Sequence, residues 1–393
     1  MATAFLGERS MGRILAGHPW VYASDIMRTE GKPEDGKEIE VRGPRGVWVG
    51  VGFYNEKSKI PVRILSRKRV PLDEEFFRDR ITQAITRRRD AEGKLPSGCR
   101  LVWAEGDFLP GLVVDWYAGG VVVQMLTCAM DERRDFLVAT LRALLGPEVI
   151  VERNEVASRG FEGLESRRGI IWGTGATRRE VEAGGLRVEV DLLEGQKTGG
   201  YLDQAENWRR VAARAKGKRV LDCFTYHGGF ALACARAGAV RVEGVDLSKE
   251  AIAACERGAT RNGVKSSSWK CANVFDDLNA RSRAGERYDL VVLDPPSFTR
   301  SRAKLEEAMR GYKEIHLKAL RLLGEGGLLA TFCCSHHVSA EAFRAVALDA
   351  AFDERVILRL VESYGQPSDH PVVPAIPETE YLKGFLFEVA ERA

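Results

Sequence analysis

The sequence predicts an α/β protein in three parts. A β-rich N-terminal segment reads as a small barrel, a middle α/β unit follows, and a doubly wound parallel sheet closes the chain. Three observations carry this prediction. The chain has 393 residues, too many for one ordinary domain. From about residue 218 onward, apolar strand-length runs alternate with helical patterns, which specifies parallel strands joined by crossover helices. The first seventy residues instead show short β-rich runs broken by Gly and Pro. The expected boundaries are 1–72, 73–190 and 191–393.

In the first part, Ile39–Arg42 alternates, Gly46–Tyr54 is β-rich with Gly punctuation, and Ile60–Leu65 follows. Pro71-Leu72-Asp73 then caps a charged helix to about Asp90, with Phe76, Ile81 and Ile85 on one face. Leu109–Asp115 and Val121–Met125 read as a strand pair joined at Gly119-Gly120. A helix near 132–145 and further strands to about 193 complete the middle unit.

In the third part, Val220-Leu221-Asp222 is a strand, Gly228–Ala237 a helix and Val242–Asp246 the next strand. Ser248 caps a helix carrying Ala251, Ile252 and Cys255. Leu290–Leu293 is apolar throughout, as a strand buried on both faces must be. A helix over about 303–322, the strand Gly327–Phe332 and two last strands near Val356–Val361 and Phe385–Val389 complete the pattern.

Composition sets the class. The chain is 45% apolar and 29% charged, an ordinary globular balance that excludes disordered and fibrous proteins. No apolar run approaches the roughly 18–20 residues that span a bilayer, and the opening MATAFLGERSMGR lacks a secretory core. A soluble, cytoplasmic protein without a membrane partner is expected. Eight cysteines form no CxxC pair and share no zinc spacing with the six histidines, so neither a disulfide framework nor a metal is expected. The net charge of +3 is uneven: residues 1–95 hold 19 Lys+Arg against 14 Asp+Glu. That bias points weakly toward polyanions.

In a doubly wound sheet, ligands bind at the carboxyl ends of the strands. The first strand ends in Asp222, followed by Cys223-Phe224-Thr225-Tyr226-His227-Gly228-Gly229. A dinucleotide site would place GxGxxG here so that helix amides meet the pyrophosphate. That motif is missing, and Asp222 would repel a pyrophosphate while suiting a cation. S-adenosylmethionine, with its sulfonium and ammonium, fits. Asp246 ends the second strand and can accept from both ribose hydroxyls. Asn273 ends the third, and its side-chain carbonyl can accept from an adenine amino group. Phe224, Thr225, Gly228 and Leu247 complete this end of the expected cofactor site.

The fourth strand ends in Asp294-Pro295-Pro296-Ser297-Phe298. Asp294 can accept from a planar base and bound cofactor, and Phe298 can stack on that base. The fifth ends in Cys333-Cys334-Ser335-His336-His337. A thiolate can add to carbon 6 of a pyrimidine and make carbon 5 nucleophilic. Successive strand side chains face opposite sides, so at most one cysteine of the pair faces the site. Cys334 is the candidate nucleophile and Cys333 the buried structural residue.

Further strings complete a pattern: Ala16-Gly17-His18-Pro19-Trp20-Val21-Tyr22, Gly50–Asn55, Glu105-Gly106-Asp107, Leu109–Asp115, Glu194-Gly195-Gln196-Lys197-Thr198-Gly199, Leu202-Asp203-Gln204 and Tyr381-Leu382-Lys383. Together with the strand ends above, they resemble the PUA-domain class I methyltransferases that make 5-methylcytosine in bacterial 23S ribosomal RNA, the large-subunit methyltransferase I group. The resemblance covers essentially the whole chain. It implies an N-terminal PUA barrel that binds RNA and a C-terminal Rossmann-like sheet that binds S-adenosylmethionine and releases S-adenosylhomocysteine. It places Gln196, Lys197, Thr198, Asp203 and Gln204 near the methionine end or the target base. It aligns Cys334 with the family's nucleophile and Asp294 with the residue holding the flipped cytosine. Lys197, Pro295, Phe298, His18 and Trp20 are the expected RNA contacts, 23S RNA or a large-subunit precursor the expected partner, and a homodimer the expected assembly. The chain departs from the family's usual residues at His227, Asn273, Ala205 and Cys333.

Three rival readings stay open. Asp-Pro-Pro loops also serve methylation of another RNA atom, which needs no thiol. A non-catalytic RNA-binding assembly protein could keep the fold. A nicotinamide oxidoreductase fits poorest, because GxGxxG is missing.

Overall fold

The computed structural model describes residues 1–299 and 302–392. The chain divides into two compact units, one of Met1–Val181, Glu189–Leu202 and Ser368–Thr379, the other of Glu182–Val188, Asp203–Pro367 and Glu380–Ala393.

The first unit holds two sheets. Six strands pair in the spatial order Trp20–Val21, Val62–Ser66, Trp48–Tyr54, Glu38–Arg42, Ala2–Leu6 and Ile26–Glu30. Five more pair in the order Arg168–Gly173, Val149–Arg153, Gly120–Met125, Leu112–Tyr117 and Gly98–Trp103. The turn at Gly119-Gly120 joins the two strands expected there in antiparallel register. Asp73 caps the helix Glu74–Arg87 by accepting from the Phe76 amide. That helix buries Phe77, Ile81, Ala84 and Ile85, so Phe77 takes the inward place expected of Phe76.

The second unit is built on strands β1 (Arg219–Cys223), β2 (Arg241–Asp246), β3 (Ser267–Cys271), β4 (Tyr288–Leu293), β5 (Leu323–Cys333), β6 (Val356–Gly365) and β7 (Lys383–Arg392). They pair in the order 3-2-1-4-5-7-6. β7 runs antiparallel to both its neighbours, within the doubly wound sheet that was expected. The physical reason is the connection: β6 and β7 are consecutive strands paired directly with each other, without the crossover helix that a parallel pair needs.

Alternation along the strands fills two cores, one on each face. Leu221, Cys223, Val291, Leu293 and Leu329 pack on one side and Val220, Leu290, Val292, Leu328 and Ala330 on the other. Helices α1 (Ala205–Ala212), α2 (Gly229–Arg236) and α3 (Lys249–Arg261) cover the second face through Val211, Phe230 and Ala259. Helices α4 (Val274–Arg283), α5 (Leu305–Arg321) and α6 (Ala340–Asp353) cover the first through Leu278, Ile315 and Phe343. Double winding therefore holds, and it leaves the carboxyl ends of β1, β2, β4 and β5 together at one edge. Among the described residues, no helix is long and apolar enough to cross a membrane.

Candidate functional site

Asp222 anchors the site. It lies in β1 with no exposed surface, and its Oδ2 accepts from Thr225 Oγ1 at 2.6 Å and from the Ala231 amide at 3.0 Å. Its Oδ1, equally buried, has no protein partner among the described residues. Burial pushes the carboxyl up to about 7 against the pull of those two bonds, with Asp246 adding repulsion. A buried carboxylate oxygen without a donor is costly, and a cationic group offsets that cost. This orphaned acceptor is the structural observation that fits S-adenosylmethionine.

The turn after Asp222 is strained. Phe224 (φ 62°), Tyr226 (φ 50°) and Gly228 (φ 80°) all take the left-handed region, which only Gly adopts freely. Backbone strain of this kind concentrates where a ligand is held. Tyr226 is held in place by contacts: Asp246 Oδ2 accepts from its amide at 2.9 Å, and its ring stacks on that of His227 at 3.6 Å. Asp246 Oδ1 accepts from the Ser248 amide at 2.9 Å, so this carboxylate ties both turns together at the end of β2. Leu247 next to it is 69% exposed and offers an apolar face beside the expected ribose position.

Asn273 is differently placed from its expectation. Its side-chain carbonyl accepts from the amides of Phe275 and Asp276 at 2.9 and 3.4 Å, capping α4. The oxygen expected to meet adenine already serves the helix start.

At the tip of β4, Asp294 is half-buried, Pro295 buried and Pro296 exposed. Phe298 packs 4.6 Å from Tyr312, 6.1 Å from Phe275 and 6.5 Å from Phe224. It is half-buried as part of this aromatic wall, and Pro295 is buried.

β5 ends in the cysteine pair, and alternation divides it as expected. Cys333 has no exposed surface and donates its S–H to Tyr312 Oη at 3.3 Å. Cys334 is half-buried. The turn behind it is held by Lys383, whose Nζ donates to the carbonyls of Ser335 and Val338 at 2.6 and 2.7 Å. Asp203 is also buried here, accepting from Tyr381 Oη at 2.6 Å, and the Tyr381 ring lies 5.5 Å from that of His336. Gln204, buried as well, accepts from Asn207 Nδ2 at 2.7 Å. Tyr312 and Lys383, which bond to the cysteine pair and the turn behind it, were not singled out in the sequence as site residues; the only signal was the string Tyr381-Leu382-Lys383.

Other expected residues belong to the first unit. Thr198 is buried and donates to Asp115 Oδ2 at 2.5 Å. Gln196 and Lys197 beside it are exposed; Gln196 accepts from Tyr201 Oη at 2.8 Å, and the Lys197 ammonium sits 4.1 Å from the Tyr201 ring centre. His18 is 3% exposed, with Nε2 3.0 Å from Glu378 and Nδ1 accepting from the Trp20 amide at 3.2 Å. The Trp20 indole N–H goes to Glu105 at 2.9 Å. His18 is thus an internal strut whose ring is buried, and Trp20 is half-buried with its indole donor occupied.

Comparison with known proteins agrees with this geometry. Residues 5–67 match the family model of a PUA-like domain, and residues 98–388 match that of an S-adenosylmethionine-dependent methyltransferase. The chain is 38% identical over 392 residues to a protein of Aeromonas hydrophila named ribosomal RNA large subunit methyltransferase I, covering 98% of each chain. It is 40% identical over 390 residues to a protein of the same name from Shewanella denitrificans, covering 97% of each. Among solved structures, an S-adenosylmethionine-dependent methyltransferase from Streptococcus mutans superposes with TM-score 0.84 at 22% identity, over 99% of this chain and 100% of that one. A methyltransferase crystallised with S-adenosylhomocysteine gives TM-score 0.85 at 22% identity over the same shares.

Proposed function

This chain belongs to the ribosomal RNA large subunit methyltransferase I family, S-adenosylmethionine-dependent enzymes with a PUA-like domain, and from that premise we propose that it methylates carbon 5 of a cytosine in 23S ribosomal RNA. The observation that supports the proposal is that Asp294 and Cys334 directly follow the adjacent parallel strands β4 and β5, which pair up to Leu293 and Thr331.

Asp222, Asp246, Leu247 and the strained Phe224–Gly228 turn hold the cofactor. When bound, S-adenosylmethionine supplies a methyl group on a sulfonium and leaves as S-adenosylhomocysteine. Cys334 adds through Sγ to carbon 6 of an extruded cytosine, which makes carbon 5 electron-rich. Asp294 holds the base through its ring nitrogen or amino group. After methyl transfer, a base, water or a carboxylate, takes the carbon 5 proton, the electrons of that C–H bond re-form the 5,6 double bond, and Sγ leaves carbon 6 as the thiolate. Positioning and polarisation of the base account for most of the acceleration. The PUA-like segment, within residues 1–72, is read as the RNA anchor, and Gln196 with Lys197 as a further contact to substrate.

The test is nucleoside mass spectrometry of 23S RNA incubated with S-adenosylmethionine and either wild-type protein or Cys334→Ala. New 5-methylcytidine that disappears with the variant supports the proposal. A different methylated nucleoside, or one indifferent to Cys334, refutes it and favours methylation of another atom.

A further inference from the structure

Lys383 stands behind the turn that carries Cys334, and the reaction above makes no use of it. It opens β7, where it pairs with Cys333 across the antiparallel ladder. Its side chain is buried, and two of its three N–H donors fix the Ser335 and Val338 carbonyls. A buried ammonium needs an anion as well as carbonyl dipoles. Burial pulls the Lys383 ammonium below its ordinary range, and the acidic groups whose charge opposes that pull are, in falling order, Cys333, Cys334 and Glu380. Glu380 is exposed. Cys333 is sealed in the core with its proton committed to Tyr312. Cys334 immediately precedes Ser335, whose carbonyl Lys383 holds at 2.6 Å, and it is only half-buried. From α5, Tyr312 faces the same pair, and burial together with the two cysteines pushes its hydroxyl far up, so it stays neutral. His336 and His337 follow on the exposed side of the turn.

We infer that Lys383 is the positioning residue for Cys334: its two carbonyl bonds shape the turn, and its ammonium is the counter-ion of the Cys334 thiolate, whose proton passes to solvent. This rests on Cys334 being the nucleophile proposed above.

The full chain, with wild-type, Lys383→Met and Lys383→Arg sequences, is alkylated with iodoacetamide across a pH series. Peptide mass spectrometry reads Cys334 separately from Cys333 and from exposed Cys271. In the wild type, the Cys334 midpoint is expected at least one unit below the free-cysteine value of about 8.5. Lys383→Met should raise it and slow alkylation near neutral pH by on the order of tenfold, and Lys383→Arg should restore most of the rate. A wild-type midpoint at or above the free-cysteine value overturns the inference without any variant, so a Met variant that fails to fold does not shield it. An unshifted midpoint in folded Lys383→Met overturns it equally. Failure of the underlying reading looks different: Cys334→Ala would keep methylating while the Cys334 thiol still titrated low.

Discussion

Thr198 gives its hydroxyl proton to Asp115 Oδ2, and Arg100 grips both oxygens of that same carboxylate at 2.8 and 2.9 Å. Asp115 has no exposed surface. The threonine of the Glu194–Gly199 string is thus an anchor, while Gln196 and Lys197 are what the loop presents outward. Asp115→Asn leaves Arg100 without its carboxylate in a buried setting and should cost about 3–5 kcal/mol. Thr198→Val removes one of the two donors to Asp115 Oδ2, with Arg100 keeping the other, and should cost about 1.5–3 kcal/mol as a lost bond to a charged group. Denaturant midpoints of the purified proteins check both.

Asp222 makes folding pH-dependent. Its carboxyl titrates near ~3.9 when unfolded and at about 7 when folded. Between those values the folded chain binds the extra proton, so this residue's contribution to stability falls as pH rises through that window. Asp222→Asn has no charge to bury and should lose this slope, becoming more stable than wild type above about pH 7. Cofactor affinity should behave oppositely. Calorimetric titration with S-adenosylmethionine should show wild-type binding tightening as pH rises toward 8 and the variant binding weakly throughout.

His316 acts in the other direction. It is fully buried on α5, with Nε2 2.8 Å from Thr331 Oγ1, and burial lowers its pKa to about 4. Unfolded histidine titrates near ~6.5, so the unfolded chain takes up the proton first and stability is lost as pH falls from there through the folded value. His316→Gln, which keeps a polar partner for Thr331 and no titration, should flatten this acid limb in urea melts at about pH 4.5 to about 7.

The cysteine pair should separate cleanly. Cys333→Ser keeps a donor for Tyr312 and should retain most methylation. Cys334→Ser should lower kcat by at least on the order of a thousandfold, as removal of a covalent nucleophile does, with circular dichroism unchanged in both.

Much of this site was legible because it obeys local rules. Asp222, Asp246, Asp294 and Cys334 each end a run of strand-like residues, and the β/α alternation brings those ends together. The two-residue period said that at most one of Cys333 and Cys334 faces the site, and the family resemblance pointed to Cys334. What escaped was set by long-range pairing. Lys383 reaches the cysteine turn only because β7 registers against β5, and nothing local marks that register. His18 bonds to Glu378, which comes from the far end of the sequence, a partner that the family string around Ala16–Tyr22 does not reveal. Asn273 was read by its chemistry when its place before Val274–Arg283 makes it a cap. The antiparallel β7 was masked because an apolar run carries no direction.

The central claim is that Cys334 bonds to carbon 6 of the target cytosine, and a covalent trap tests it most directly. RNA containing 5-fluorocytidine, incubated with the protein and S-adenosylmethionine, cannot complete the reaction, because fluorine at carbon 5 does not leave as a proton does. A complex that survives denaturing electrophoresis with wild-type protein, requires the cofactor and vanishes in Cys334→Ala is the predicted result. No trapped complex under conditions where ordinary RNA is methylated, or one that persists in Cys334→Ala, would contradict it.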